Sequence, residues 1–178
     1  LDAMVAGLPE AARAGATTRL ALIEIEAMLW AQGTPLRREE IGRDLMEARA
    51  GADLEAMRLA RWGLRRLEGQ GDPGALRAFL GLHRAEVSGL DDRLAARPTG
   101  PEFDAAAAEF HDMAAGLSGL TALARAPAQR VLWRICGLSA PEVLTEPAVW
   151  TGRAMAGDCE ALRFVPLGRH GRAVWVDA

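Results

Sequence analysis

The sequence predicts a mainly α-helical bundle of six to seven helices, with a central antiparallel αα-hairpin and a small C-terminal β-hairpin. Three observations carry this. Leu76, Leu80, His83, Val87, Leu90 and Leu94 are spaced four, three, four, three and four apart, a period near 3.5 that places all six on one helical stripe. Phe103, Ala107, Phe110, Ala114, Leu117, Thr121 and Ala124 repeat the rhythm. The joint Arg97-Pro98-Thr99-Gly100-Pro101 between them is short enough to fold the second helix back along the first. Near the end, Phe164-Val165-Pro166-Leu167 and Ala173-Val174-Trp175-Val176 flank Gly168-Arg169-His170-Gly171. This reads as strand, turn and strand, with Pro166 confining its strand to a sheet edge.

The first helix starts at about Pro9 or Thr17 and ends at Gln32, because Leu20, Ile23, Ala27 and Trp30 or Ala31 share a face that Leu22, Ile25 and Leu29 widen. Gly33 stops it, and Thr34-Pro35 supplies an N-cap and a proline for the next helix, whose Leu36, Ile41 and Leu45 face inward. Asp53 caps a third helix with Leu54, Met57, Ala60, Leu64 and Leu67 on its buried side, closed by Gly69-Gln70-Gly71. Asp72-Pro73 opens the fourth helix, which runs to about Ala96, and Thr99 with Pro101 opens the fifth. Pro127 interrupts the pattern, and Val131, Leu132, Ile135 and Cys136 then suggest a short buried helix closed by Gly137. Thr145 with Pro147 begins a last helix, in which Val149, Ala154 or Met155, Cys159 and Leu162 face the core. The chain thus divides into a helical bundle domain, 1–162, and a β-hairpin appendage, 163–178. An isolated hairpin is marginal in water, so this one must pack on the helices or on sequence outside the chain.

With 178 residues, half of them apolar, the chain can bury a real core without staples. All 21 basic residues are Arg, and Lys, Asn and Tyr are absent, the imprint of a GC-rich bacterial genome. A net charge of −3 argues against a wholly basic nucleic-acid coat but leaves room for local patches. Cys136 and Cys159 stand in no Cys-x-x-Cys pair, so a reducing, cytoplasmic setting is expected. The longest charge-free stretch falls well short of the roughly 20 residues a bilayer crossing needs, so no membrane partner is expected. A start at Leu1 suggests missing flanks.

Arg58, Arg61 and Arg65, with Arg66 adjacent, form a stripe on the third helix, and Trp62 beside them is a candidate contact. The preceding segment, Glu40-Ile41-Gly42-Arg43-Asp44-Leu45, has the look of the first helix of a DNA-binding helix-turn-helix. From Arg37 to Arg66, eight arginines face six acids, so the local charge of +2 is also what an ordinary solvated face carries. Arg163, Arg169 and Arg172 make the terminal hairpin basic, as a winged-helix wing or as an ordinary exposed turn. The two basic features would reinforce each other on one face.

His83, Glu86, Glu109, His111 and Asp112 do not suit a metal, because the Glu-x-x-His pairs of bundle carboxylate sites are missing. Ser88, Ser118, Ser139 and both cysteines lack a nucleophile elbow or a local His partner, and no glycine-rich phosphate loop appears. No cofactor is called for. An enzyme would need a cleft that gathers His83, His111 or Glu24 and Glu26 around one pocket.

Leu29-Trp30-Ala31-Gln32-Gly33, then Leu36, Glu39 or Glu40, Asp44 and Arg49, and the Leu54 to Leu67 helix resemble a segment of an uncharacterised family of helical alphaproteobacterial proteins. Its members are Fic-like at the N-terminus with a helix-turn-helix domain after it. The resemblance covers about the first half of the chain, with Phe164-Val165-Pro166-Leu167-Gly168 near the end. It implies an all-helical module whose DNA-binding part lies beyond Ala178. The Fic catalytic loop is absent, so no AMP-transferase activity follows. The expectation is a non-enzymatic interaction or regulatory domain, part of a DNA-associated bacterial protein, meeting DNA or an acidic protein through Arg58, Arg61, Trp62, Arg65, Arg66, Arg169 and Arg172. The alternative is a protein–protein assembly module, homo-oligomers included, with no nucleic-acid contact.

Overall fold

The computed structural model describes residues 1–45, 54–82, 97–157 and 159–167. Among them are eight helices: α1 (Asp2–Ala6), α2 (Glu10–Gln32), α3 (Arg38–Leu45), α4 (Leu54–Leu67), α5 (Leu76–Leu80), α6 (Gly100–Ala115), α7 (Ala122–Ile135) and α8 (Thr145–Met155). The fold is mainly helical, and no strand occurs among the described residues.

Helix α4 is the hub, packed on α2 and α8, while α8 also lies against α7. Met57, Ala60, Leu64 and Leu67 of α4 join Ile25, Met28 and Leu29 of α2 and Val149 of α8 in one buried cluster. Its aromatic part is Phe110 of α6 edge-on to Trp133 and Trp150, with centroids 5.8 and 5.1 Å away. Such edge-to-face pairs add to what burial alone contributes. Helices α2, α4 and α7 end alike. Gly33, Gly69 and Gly137 take positive φ, and Thr34, Gln70 and Leu138 donate back to the carbonyls of Leu29, Arg65 and Trp133, which are Schellman closures.

Several elements differ from the sequence expectation. Helix α1 was not foreseen; Arg13 Nη2 ties it to α2 by donating to Ala6 O at 2.9 Å. The inward face of α2 is Ala21, Glu24, Ile25, Met28 and Leu29, which leaves Ile23 and Trp30 exposed. Helix α3 begins at Arg38 rather than at Pro35, because the Glu40 carboxylate accepts the Arg37 N–H at 2.7 Å and fixes the start there. Leu54, expected in the core, is exposed at the first position of α4. Asp72-Pro73 does not open α5: Asp72 Oδ1 accepts the Gly74 N–H at 2.8 Å in an Asx turn, and the helix starts at Leu76.

Of the two stripes of the expected αα-hairpin, Leu76, Leu80, Phe103 and Phe110 are buried, whereas His83, Val87, Leu90 and Leu94 lie outside the described residues. The second stripe is not one helix to Ala124, since α6 stops at Ala115 ahead of Gly116 and Gly119. Pro127 does not interrupt but sits inside α7, removing a single internal hydrogen bond. The face of α7 is also turned: Ala126, Arg130 and Trp133 are buried, while Val131 and Ile135 point outward. The strand expected over 164–167 is absent, and the second strand lies outside the described residues. Val165 N–H donates to Gly152 O at 3.1 Å and Leu167 N–H to Glu24 Oε2 at 2.9 Å, so a helix and a buried carboxylate take the donors a partner strand would have taken. Phe164 is buried in the same cluster as the helices.

Candidate functional site: an arginine surface around the end of α4

Arg58, Arg61 and Arg65 are exposed on α4. At 3.6 residues per turn they fall on one line about 10 Å long. The opposite face of the helix is buried, so the line has a fixed orientation rather than the freedom of a loop.

Trp62 and Arg66 do different work. Both are half-buried and both donate to the Phe79 carbonyl, Trp62 Nε1 at 2.9 Å and Arg66 Nε at 2.6 Å, while Arg66 Nη2 reaches Ala78 O at 3.3 Å. The Trp62 ring meets Phe79 edge-on at 5.8 Å, and the Arg66 guanidinium lies 5.4 Å from that ring's centroid. Two of the expected contact residues therefore cap the carbonyls ending α5. Arg169 and Arg172 lie outside the described residues.

The fold brings two further arginines to this end of α4. Arg153 of α8 donates from Nη1 to Arg66 O and from Nη2 to Gly71 O, satisfying carbonyls at and beyond the α4 terminus. Arg163 follows in the 159–167 segment, with its side chain against Gly69. Sequence spacing assigned Arg163 to the terminal hairpin and gave Arg153 no role, since nothing local ties Arg153 to Arg66, 87 positions away. The only usable signal was a cation in the last turn of a helix, a common place for one. Among the described residues, Glu68 accepts the Thr18 hydroxyl at 2.6 Å, and Asp72 serves its own turn.

Two hollows lie elsewhere. A groove of about 480 Å³ between α5 and α6 is lined by Leu76, Arg77, Phe103, Asp104, Ala107 and His111. Its cation is committed, since Arg77 Nε bonds Asp104 at 2.9 Å and Nη2 donates to Gly100 O. A cavity of about 180 Å³ beside the α7–α8 connection is lined by Trp133, Ser139, Val143 and Pro147 among others. Behind it a polar chain runs from Trp133 Nε1 to Ser139 Oγ to Glu146 to Arg97.

Among the described residues no three His, Cys, Asp or Glu side chains converge as a metal ion would require. His83 lies outside them, and Glu24 and Glu26 are spent on Leu167 N–H and Arg38 N–H. Burial, and then the charge of Glu109, pushes the Cys136 thiol above its ordinary range, away from a reactive thiolate. No helix among the described residues is long and apolar enough to cross a membrane. No family model, curated protein or solved structure matches this chain.

Proposed function

We propose that this chain is a non-enzymatic helical interaction domain that contacts an acidic partner, duplex DNA foremost, through the arginine surface of α4. One observation carries it: Arg58, Arg61 and Arg65 line one exposed stripe of a helix whose other faces are packed, and Arg163 arrives at the same end of that helix. Guanidiniums held in a row on a rigid element suit a row of phosphates, which each can meet with a planar two-pronged contact. The resemblance to a helical family with a downstream helix-turn-helix points the same way. Binding of a labelled duplex across a salt series tests it. Affinity should fall with salt, and the triple change Arg58→Ala, Arg61→Ala and Arg65→Ala should flatten the log–log slope by roughly one per arginine. A folded chain that ignores duplex DNA at about 50 mM salt would overturn it.

A protein–protein assembly module is the second reading, and a specific feature favours it. Val131 and Ile135, one turn apart on α7, are 47% and 68% exposed. Ala124 is exposed on the same line and Ala128 half-buried, so an apolar stripe with four-three-four spacing faces outward. If this reading holds, Val131→Ser with Ile135→Ser abolishes self-association or partner capture by the chain while leaving its helicity intact. Sedimentation at several concentrations decides the self-association case.

A further inference from the structure

We propose that α2 pairs with α2 of a second copy of this chain, in an antiparallel dimer centred on Ile23. The surface shares no residue with the arginine stripe of α4 or the apolar stripe of α7, and neither reading of the function is needed for it.

Helix α2 is the longest among the described residues, and its Ala21, Glu24, Ile25, Met28 and Leu29 are buried within the chain. Ala12, Ala16, Arg19, Ile23, Ala27 and Trp30 follow one another in steps of three or four on its other side, a stripe about 27 Å long. Trp30 is 57% exposed and Ile23 37%. Ala12, Gly15 and Arg19 are exposed as well, and Ala16 and Ala27 are half-buried. A tryptophan standing open on a rigid helix is the residue type that anchors protein interfaces.

The stripe is complementary to itself when turned end for end. A two-fold axis through Ile23, perpendicular to the helix, sets Trp30 of one copy opposite Ala16 of the other, because the two lie equally far from Ile23 along the chain. Trp30 then enters the diamond of Ala12, Gly15, Ala16 and Arg19, whose spacing is that of a hole in knobs-into-holes packing. Three of these four residues are Ala or Gly, which leaves room for an indole. A Cβ on Gly15 would meet nothing nearer than Arg19 Nη1 at 4.0 Å, so the hole is open. Arg19 borders it, where a guanidinium can lie on the indole face.

The same rotation brings opposite charges together. Arg19 stands one turn before Ile23 and Glu26 just under one turn after it, on the same flank of the stripe. A two-fold perpendicular to the helix keeps flank on flank, so Arg19 of each copy faces Glu26 of the other. Glu26 accepts the Arg38 N–H at 3.2 Å through Oε1, and its Oε2 lies 3.7 Å from Arg38 Nε. A carboxylate offers about four acceptor sites, so this leaves room for a second guanidinium. A parallel pairing would instead set Arg19 level with Arg19 and Trp30 level with Trp30. Size and charge thus select the antiparallel order, and one stripe supplies both knob and hole, which is why the occupant is a second copy. A single helix pair of this length is small for an interface, so the dimer is reversible, with a Kd of roughly 1 to 100 µM.

Sedimentation of this chain from about 1 to 300 µM tests the pairing and should show monomer giving way to dimer. Trp30→Ser removes the knob and Gly15→Glu fills the hole, and each should raise Kd about tenfold or more with helicity retained. Gly15→Glu puts a better helix former inside a helix, so its Tm should not fall at concentrations where the wild type is monomeric. Should Trp30→Ser lose helicity, Trp30→Gln, a better helix former, takes its place. The two variants mixed should associate more tightly than either alone, because each mixed pair regains one native Trp30 from the Gly15→Glu copy in one native hole of the other copy. A chain still monomeric at about 300 µM overturns the pairing. So does a Kd unchanged in both variants, or a mixture no tighter than its components. Association lost in Val131→Ser with Ile135→Ser but kept in both α2 variants belongs to α7 and also overturns it. Duplex binding is read from the arginine triple variant, so that proposal stands or falls separately.

Discussion

Gly63 has no side chain at the point where Ile25 meets α4: a Cβ there would stand 2.5 Å from Ile25 Cδ1 and 3.4 Å from Val149 Cγ2. Three helices converge at this one position. Gly63→Ala should gain about 1 kcal/mol in helix propensity and lose about 1 to 3 kcal/mol to overpacking, for a net destabilisation of about 1 kcal/mol in urea unfolding. Ile25→Val removes the obstructing methyl. The double variant should therefore be more stable than Gly63→Ala alone, although Ile25→Val in the native background costs about 1 kcal/mol. A stabilising Gly63→Ala would mean that α2 sits farther from α4 than these distances allow.

The start of α8 is capped from 112 positions away. Gln32 Oε1 accepts from Leu144 N, Thr145 N and Thr145 Oγ1, at 3.0, 3.0 and 2.9 Å. Gln32→Ala strands these partly buried donors and should cost about 1 to 2 kcal/mol, read from the urea midpoint. Gln32→Glu keeps the acceptor and sets a negative charge at a helix N-terminus, so it should retain most of the native stability. Equal losses in the two variants would show that the side chain matters for its packing and not for the cap.

What the sequence made legible was its punctuation. Gly33, Gly69 and Gly137 close helices where expected, and Pro101 and Pro147 stand in first turns, because these residues act through backbone geometry that needs no distant partner. The facing of α7 was not legible. Ala126, Arg130 and Trp133 carry the inward four-three rhythm, but a charged residue in its middle hides it, and Val131 with Ile135 makes the more apolar stripe. Burial, with Arg134 nearby, lowers Arg130 to about 10, so a cation is kept inside at neutral pH, which hydropathy alone does not anticipate. At 164–167 the apolar run forms no strand, because the donors of Val165 and Leu167 go to Gly152 and Glu24. The arginine cluster joins positions 66, 153 and 163, and no local spacing encodes that.

Asp2 should make the 159–162 turn sensitive to acid. Its carboxylate accepts from Leu162 N at 2.8 Å, Glu160 N at 2.9 Å and Ala161 N at 3.0 Å. The bond from Leu162, then that from Glu160, holds its pKa below the ordinary value of 3.8. The folded state thus binds its proton less readily than the unfolded chain. The stabilisation is complete above the ordinary value and is lost as pH falls through the lower folded value. Asp2→Asn should lower Tm by a constant amount at neutral and mildly acidic pH, and the gap from wild type should close below about pH 4. A gap that persists in strong acid would show that the turn does not depend on the ionised carboxylate.

The chain from Trp133 to Arg97 should be the costliest polar feature to break. Glu146 accepts Ser139 Oγ–H at 2.5 Å and Arg97 Nη2–H at 3.0 Å, with 9% and 14% of the Glu146 and Arg97 side chains exposed. Arg97→Met leaves a carboxylate buried without its cation and should cost about 3 kcal/mol. Ser139→Ala removes one neutral partner from each of Trp133 and Glu146 and should cost about 1 to 2 kcal/mol. Arg97→Met with Glu146→Gln removes both charges together, and the amide can still accept from Ser139. That pair should therefore lie closer to wild type than Arg97→Met alone, a non-additivity of at least about 1 kcal/mol in a double-mutant cycle. Additive losses would mean that Arg97 and Glu146 contribute separately, with water taking the place of the missing partner.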